Sequence, residues 1–116
     1  MDACFGESRP IIEIPARIAP DQLEALKEQC DRVISEMGGE YALNMEGVED
    51  IYSATLALIM HVYKVAMRMR STLVIIHASE RARNALRALK IDEKIRIYPS
   101  LLDYELACFG AATMSV

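Results

Sequence analysis

The chain has 116 residues, 53% hydrophobic and 26% charged, a length and balance that suit one compact domain with its own core. A net charge of -4 excludes a general nucleic-acid binder, whose surface must replace the counterions around phosphates. Three cysteines, Cys4, Cys30 and Cys108, without a C-x-x-C pair speak against a disulfide framework and for a reducing, cytoplasmic setting with no metal or cofactor. The amino terminus, Met1 to Ser8, has neither the basic start nor the apolar stretch of a signal peptide. The greasiest segment, Leu56 to Met69, is broken by His61, Lys64 and Arg68 and is too short for membrane insertion. Charge is segregated, with -8 over residues 1–60 and +6 over 61–100. That layout can steer a charged partner or favour contact between copies, so a homodimer stays open.

Taken in chain order, Pro10 to Pro15 is a short β-branched run closed by proline, which predicts a strand at or near a sheet edge. Asp21 is expected to open the first helix, with Glu24 completing a capping box and Pro20 keeping the preceding chain non-helical. Leu23, Leu26, Cys30, Val33 and Met37 recur at helical spacing and mark its core face, and Gly38-Gly39 ends it. Tyr41 to Met45 is the next strand. From Ala54 to Arg70 the pattern is helical and apolar almost all round, with Leu56, Ile59, Met60, Tyr63 and Met67 on one face and His61, Lys64 and Arg68 as the polar stripe. Such a helix is either sandwiched or keeps apolar surface for a partner. Leu73 to Ile76 reads as a buried strand, Ser79 as the cap of a helix reaching about Lys90, and Ile95 to Tyr98 as an alternating strand. Ser100 and Asp103 repeat the capping-box spacing at a last helix. Four strand–helix units predict an α/β fold with a mostly parallel or mixed sheet of about four strands and about four helices.

Few constellations carry chemistry. The glycines form no phosphate-binding loop. His61 and His77 have neither ligand nor triad spacing and read as surface or core histidines. Glu46, Glu49 and Asp50 are close in sequence and are either a solvated loop or a cation or acid–base site. Ser53 stands out, because a loop after a strand delivers its hydroxyl to the start of the apolar helix. It is expected to be the N-cap there, and the same position favours a covalently attached phosphate through open amides and the helix dipole. An enzyme using Ser53 as nucleophile would need a histidine base that the sequence does not mark.

The ordered set of segments resembles the STAS domain of bacterial anti-sigma-factor antagonists and of the cytoplasmic domains of sulfate transporters, over roughly residues 10 to 107. Tyr41 to Val48 is similar to the strand before the family's hydrophobic–Asp–Ser–Ser/Thr–Gly–Leu turn, and Ile51-Tyr-Ser-Ala-Thr-Leu56 falls on that turn without a gap. Leu73 to Leu86 and Ile95 to Leu102 resemble the later strands and helices. The resemblance implies a single STAS-like domain over 10–109, with 1–9 as an extension or short edge strand and 110–116 as a tail. It further implies a non-enzymatic regulator in transcription signalling, with an anti-sigma factor or a serine kinase-like protein as partner. Ser53 matches the phosphorylated serine, and Tyr52, Ser53, Ala54, Thr55, Leu56 and Met60 would meet the partner. The alternative it implies is a scaffold or subunit of a signalling or transporter complex without a switch. Tyr52 stands where the family has aspartate, Ala54 where it has a second hydroxyl residue, and Thr55 where it has glycine. Lys90 stands at a family glycine, so a different local backbone is expected there.

Overall fold

The structure, a computed structural model, describes the backbone of residues 11–37 and 39–114, and the side chains within that range except 35–37 and 108–114. Cys4, Gly38 and the side chains of Met37 and Cys108 therefore lie outside the described residues. The elements are β1 (Ile11–Glu13), α1 (Leu23–Met37), β2 (Glu40–Asn44), α2 (Ser53–Arg68), β3 (Thr72–Ile76), α3 (Glu80–Ala88), a 3-10 turn (Ile91–Glu93), β4 (Arg96–Tyr98) and α4 (Leu101–Met114). The strands form one sheet in the order β1-β2-β3-β4, and every neighbouring pair is parallel. Leu43 lies opposite Ile12 on one side and Ile75 on the other, and Ile75 lies opposite Ile97.

Alternation along these strands separates two apolar layers. Tyr41, Leu43, Leu73 and Ile75 share a cluster with Cys30 and Ile34 of α1, Leu58, Ile59 and Val62 of α2, and Ala82 and Leu86 of α3. Ala42, Val74 and Ile76 point the other way and pack with Tyr104 of α4, supported by Tyr98 and Leu101. Three helices therefore cover one face of the sheet, and α4 packs on the other. α4 also runs to Met114, through residues expected to form a tail.

The start of α1 differs from expectation. Asp21 does not cap it; the first turn begins at Ala19, whose carbonyl accepts from the Gln22 amide at 2.9 Å while Gln22 Oε1 accepts from the Ala19 amide at 3.1 Å. The reciprocal contact of a capping box is thus made by Gln22 around Ala19, with Pro20 inside the first turn, where its missing N–H costs nothing. Glu24 instead forms an exposed ion pair with Lys27 at 3.4 Å. At the other end Gly39 takes φ +95, and the buried Tyr41 hydroxyl donates to the Ile34 carbonyl at 2.7 Å.

α2 buries Thr55, Leu58, Ile59, Val62, Val65 and Ala66, so its inward face is rotated from the one read off the sequence. Leu56, Met60 and Tyr63 pack part-buried against the same core, and Met67 is exposed. The helix is therefore largely sandwiched, lying against both the sheet and α1. His61, expected in the solvated stripe, has Nε2 2.7 Å from Asp31 Oδ1 of α1.

Ser79 caps α3 as expected, its Oγ accepting from the Ala82 amide at 3.1 Å. Ser100 caps α4, its Oγ accepting from the Asp103 amide at 3.0 Å and donating to the Asp103 carboxylate at 2.9 Å. Lys90 holds φ 62 and ψ 24, the left-handed conformation that glycine takes most easily. Its amide donates to the Arg87 carbonyl at 2.9 Å, and that bond closes α3 despite the Cβ.

Two substitutions test these ends in opposite directions. Lys90→Gly relieves a left-handed residue and is expected to raise unfolding stability by about 0.5–1 kcal/mol. Ser79→Ala removes a cap and is expected to lower it by about 1 kcal/mol. Urea titration checks both, with the midpoint moving and the slope unchanged.

Candidate functional site

A parallel sheet gathers its loops and helix starts at the carboxyl ends of the strands. Here that rim opens with Asn44, whose Nδ2 donates to both carboxylate oxygens of Glu13 at 3.1 and 3.0 Å and whose Oδ1 accepts from the Glu46 amide at 3.0 Å. Buried Met45 and Val48 then pin a turn closed by the Val48 amide on the Met45 carbonyl at 3.0 Å. The chain leaves that turn through Asp50 and reaches α2.

Ser53 is not the N-cap. Tyr52 holds that place, with φ -92 and ψ 171, and its carbonyl accepts from the Leu56 amide at 2.9 Å. The cap residue must be extended, and one register earlier than expected puts the serine inside the first turn as an exposed residue. No side chain caps α2, so its leading amides point outward without a side-chain acceptor. Tyr52 is 47% exposed. Its hydroxyl lies 3.5 Å from Asp50 Oδ2, Arg81 Nε donates to Asp50 Oδ1 at 3.0 Å, and the Arg17 guanidinium carbon sits 5.7 Å from the ring centroid. Two cations and one engaged carboxylate therefore surround the turn.

The other expected contact residues divide. Ala54 is half-buried, Leu56 and Met60 are part-buried against the core, and Thr55 is fully buried and offers a partner nothing. The Thr55 hydroxyl finds no hydrogen-bond partner among the described residues. Glu46 and Glu49 are exposed, Asp50 is taken by Arg81, and no three metal-ligating side chains converge among the described residues. His77 adopts φ 62 at the end of β3, and no hydrogen bond joins either histidine to Ser53. Arg17 and Arg81 are the site residues that sequence reading missed. They come from distant segments, and only the spacing of the strands brings them to one turn. Away from the rim, burial followed by the neighbouring Asp31 charge pushes the Cys30 thiol up to about 11, which keeps it protonated near neutral pH.

The family model described as the STAS domain matches residues 8–103. The chain belongs to the STAS domain family. The resemblance drawn from the turn and the later segments is thereby established, and the α/β architecture agrees with it. A solved structure of a sulfate transporter family protein from Wolinella succinogenes is 20% identical with a TM-score of 0.73, covering 96% of this chain and 91% of that one. An anti-sigma-factor antagonist (STAS) domain protein from Planctomyces limnophilus is 20% identical with a TM-score of 0.69, covering 84% and 87%. At such identities the shared property is the STAS fold. A comparison with curated proteins gives no match. Among the described residues no helix is long and apolar enough to cross a membrane.

Thr55 stands where the STAS turn has glycine, with a buried hydroxyl that has no partner among the described residues, so the isosteric Thr55→Val is expected to stabilise the fold by about 1 kcal/mol. Chemical denaturation of both forms checks this, and a loss of stability would mean that the hydroxyl is satisfied in solution.

Proposed function

We propose that this STAS domain is a non-enzymatic regulatory module that docks a protein partner through the rim formed by Tyr52, Ser53 and the start of α2. The proposed partner is an anti-sigma factor or serine kinase-like protein, and phosphorylation of Ser53 controls the contact. The carrying observation is the exposed Ser53 in the first turn of a helix whose amides no side chain caps. A phosphate on that hydroxyl gains from the open amides and from the helix dipole, and adds about -1.5 to -2 charges. The departure at Tyr52 works in the same direction. An aspartate at this cap would accept from the first-turn amides and repel a phosphate, whereas tyrosine leaves the amides open. Arg17 beside the Tyr52 ring adds positive charge to the rim, where Arg81 is paired with Asp50. A large change of charge on a surface that also presents an exposed aromatic ring favours release of a partner seated there.

A second reading keeps the fold without the switch, as a scaffold or subunit in a signalling or transporter assembly. Buried Thr55 in place of glycine favours it, since a rigid first turn limits the adaptation that a kinase active site demands. The likeness to the Wolinella succinogenes sulfate transporter family protein supports it as well.

A pull-down from the native cells with wild-type, Ser53→Ala and Ser53→Glu baits separates the two. The switch predicts that wild type and alanine hold the same protein, that glutamate loses it by at least tenfold, and that ATP releases it from wild type alone. Equal retention on all three baits, with no phosphate found on Ser53 by mass spectrometry, leaves the scaffold reading standing.

A further inference from the structure

The end of the sheet opposite Ser53 holds a cleft of about 470 Å³ between the C-terminal turns of α2, the starts of β3 and β4, and α4. One part of its wall is aromatic and apolar, and another is polar and charged. Tyr63 of α2, Tyr98 of β4 and Tyr104 of α4 line it, and the last two rings meet at 5.3 Å with a tilt of 53°. Lys94 and Arg96 lie in the same lining, both exposed, and neither has a carboxylate within ion-pair distance among the described residues. Glu40, also in the lining, has an interaction of its own. Ser71 completes the set. Arg70 at φ 56 turns the chain so that the Ser71 amide returns to the Ala66 carbonyl at 2.8 Å, and the Ser71 hydroxyl is buried with no partner among the described residues.

These features converge on one chemistry. Two exposed like charges two residues apart, Lys94 in the turn before β4 and Arg96 at its start, repel each other, and an anion between them removes that repulsion. An apolar, aromatic floor of this size, within the roughly 300–1,000 Å³ of small-molecule sites, recovers free energy only from an apolar body. We infer that the cleft binds a small soluble amphiphile with one acidic head, a medium-chain or aromatic carboxylate, whose head lies at Lys94 and Arg96 and whose body lies along the tyrosines. The site is independent of the Ser53 rim, so its failure leaves the proposed partner docking untouched.

The test is a ¹H–¹⁵N NMR titration with octanoate, run beside octanol, which lacks the charge, and acetate, which lacks the body. Saturable shifts are expected at Ser71 to Val74, Arg96 to Tyr98 and Tyr104. Octanol and acetate should bind at least tenfold more weakly, and the Lys94→Gln/Arg96→Gln pair should weaken octanoate at least tenfold. Both substituted residues are exposed, so a well-dispersed spectrum is expected. Absence of saturable shifts in the cleft, equal binding of octanol, or indifference to the double substitution overturns the inference. Cosedimentation with phosphatidylglycerol vesicles in place of a soluble octanoate complex overturns it too, since the occupant is then a lipid surface.

Discussion

A parallel sheet cannot leave a face to water, and nearly every other feature follows from that constraint. β3 lies between β2 and β4, and Leu73, Val74, Ile75 and Ile76 are all buried, two toward each side. Covering both sides of such a strand demands helices above and below it. α1, α2 and α3 supply one layer through a large aliphatic cluster, and α4 supplies the other through a smaller one built around Tyr104. The near-continuous apolar character of α2 has the same origin, because it meets the sheet on one side and α1 on another.

The arrangement also fixes where chemistry can gather. Each crossover brings a loop and a helix start to the carboxyl ends of the strands, so the turn before α2, the end of β3 with His77, and Arg81 in the first turn of α3 become neighbours without any contact in sequence. Main-chain polarity at that rim is left open at α2 and closed by a hydroxyl at α3, where Ser79 holds the Ala82 amide. One end of the sheet thus carries two helix starts of opposite character, one without a side-chain cap and one already capped.

Element order, strand parallelism and the family turn were legible because they rest on local patterns: β-branched runs, helical spacing, and serine at Ser79 and Ser100 three residues before the amide that donates to it. What escaped was decided by competition between neighbours. Asp21 was expected to open α1, but Gln22 turns back on Ala19 through both its amide and its side chain, so the first turn begins before Pro20. Ser53 carries the stronger capping group, yet the extended backbone falls on Tyr52. The inward face of α2 was misjudged because a helix apolar all round gives periodicity little to discriminate, and the neighbours decide which stripe is buried. Lys90 shows the limit of reading backbone from residue type, since the Leu89 and Lys90 amides return to the Ala85 and Arg87 carbonyls and hold the left-handed turn without glycine. The pairing of Asp31 with His61 crosses 30 positions of sequence and has no local signature.

The phenol of Tyr41 performs a service for an element to which it does not belong. The Ile34 carbonyl falls in the last turn of α1, where the helix itself supplies few donors, and the strand that follows reaches back to satisfy it from within the core. That reach makes the spacing between α1 and β2 a fixed quantity. An inserted residue would turn the phenol to the other face of the sheet and strand the carbonyl in a dry interior. Evolution can therefore lengthen the loops at the rim far more freely than this short connection, and relatives of different size should differ at the one and agree at the other.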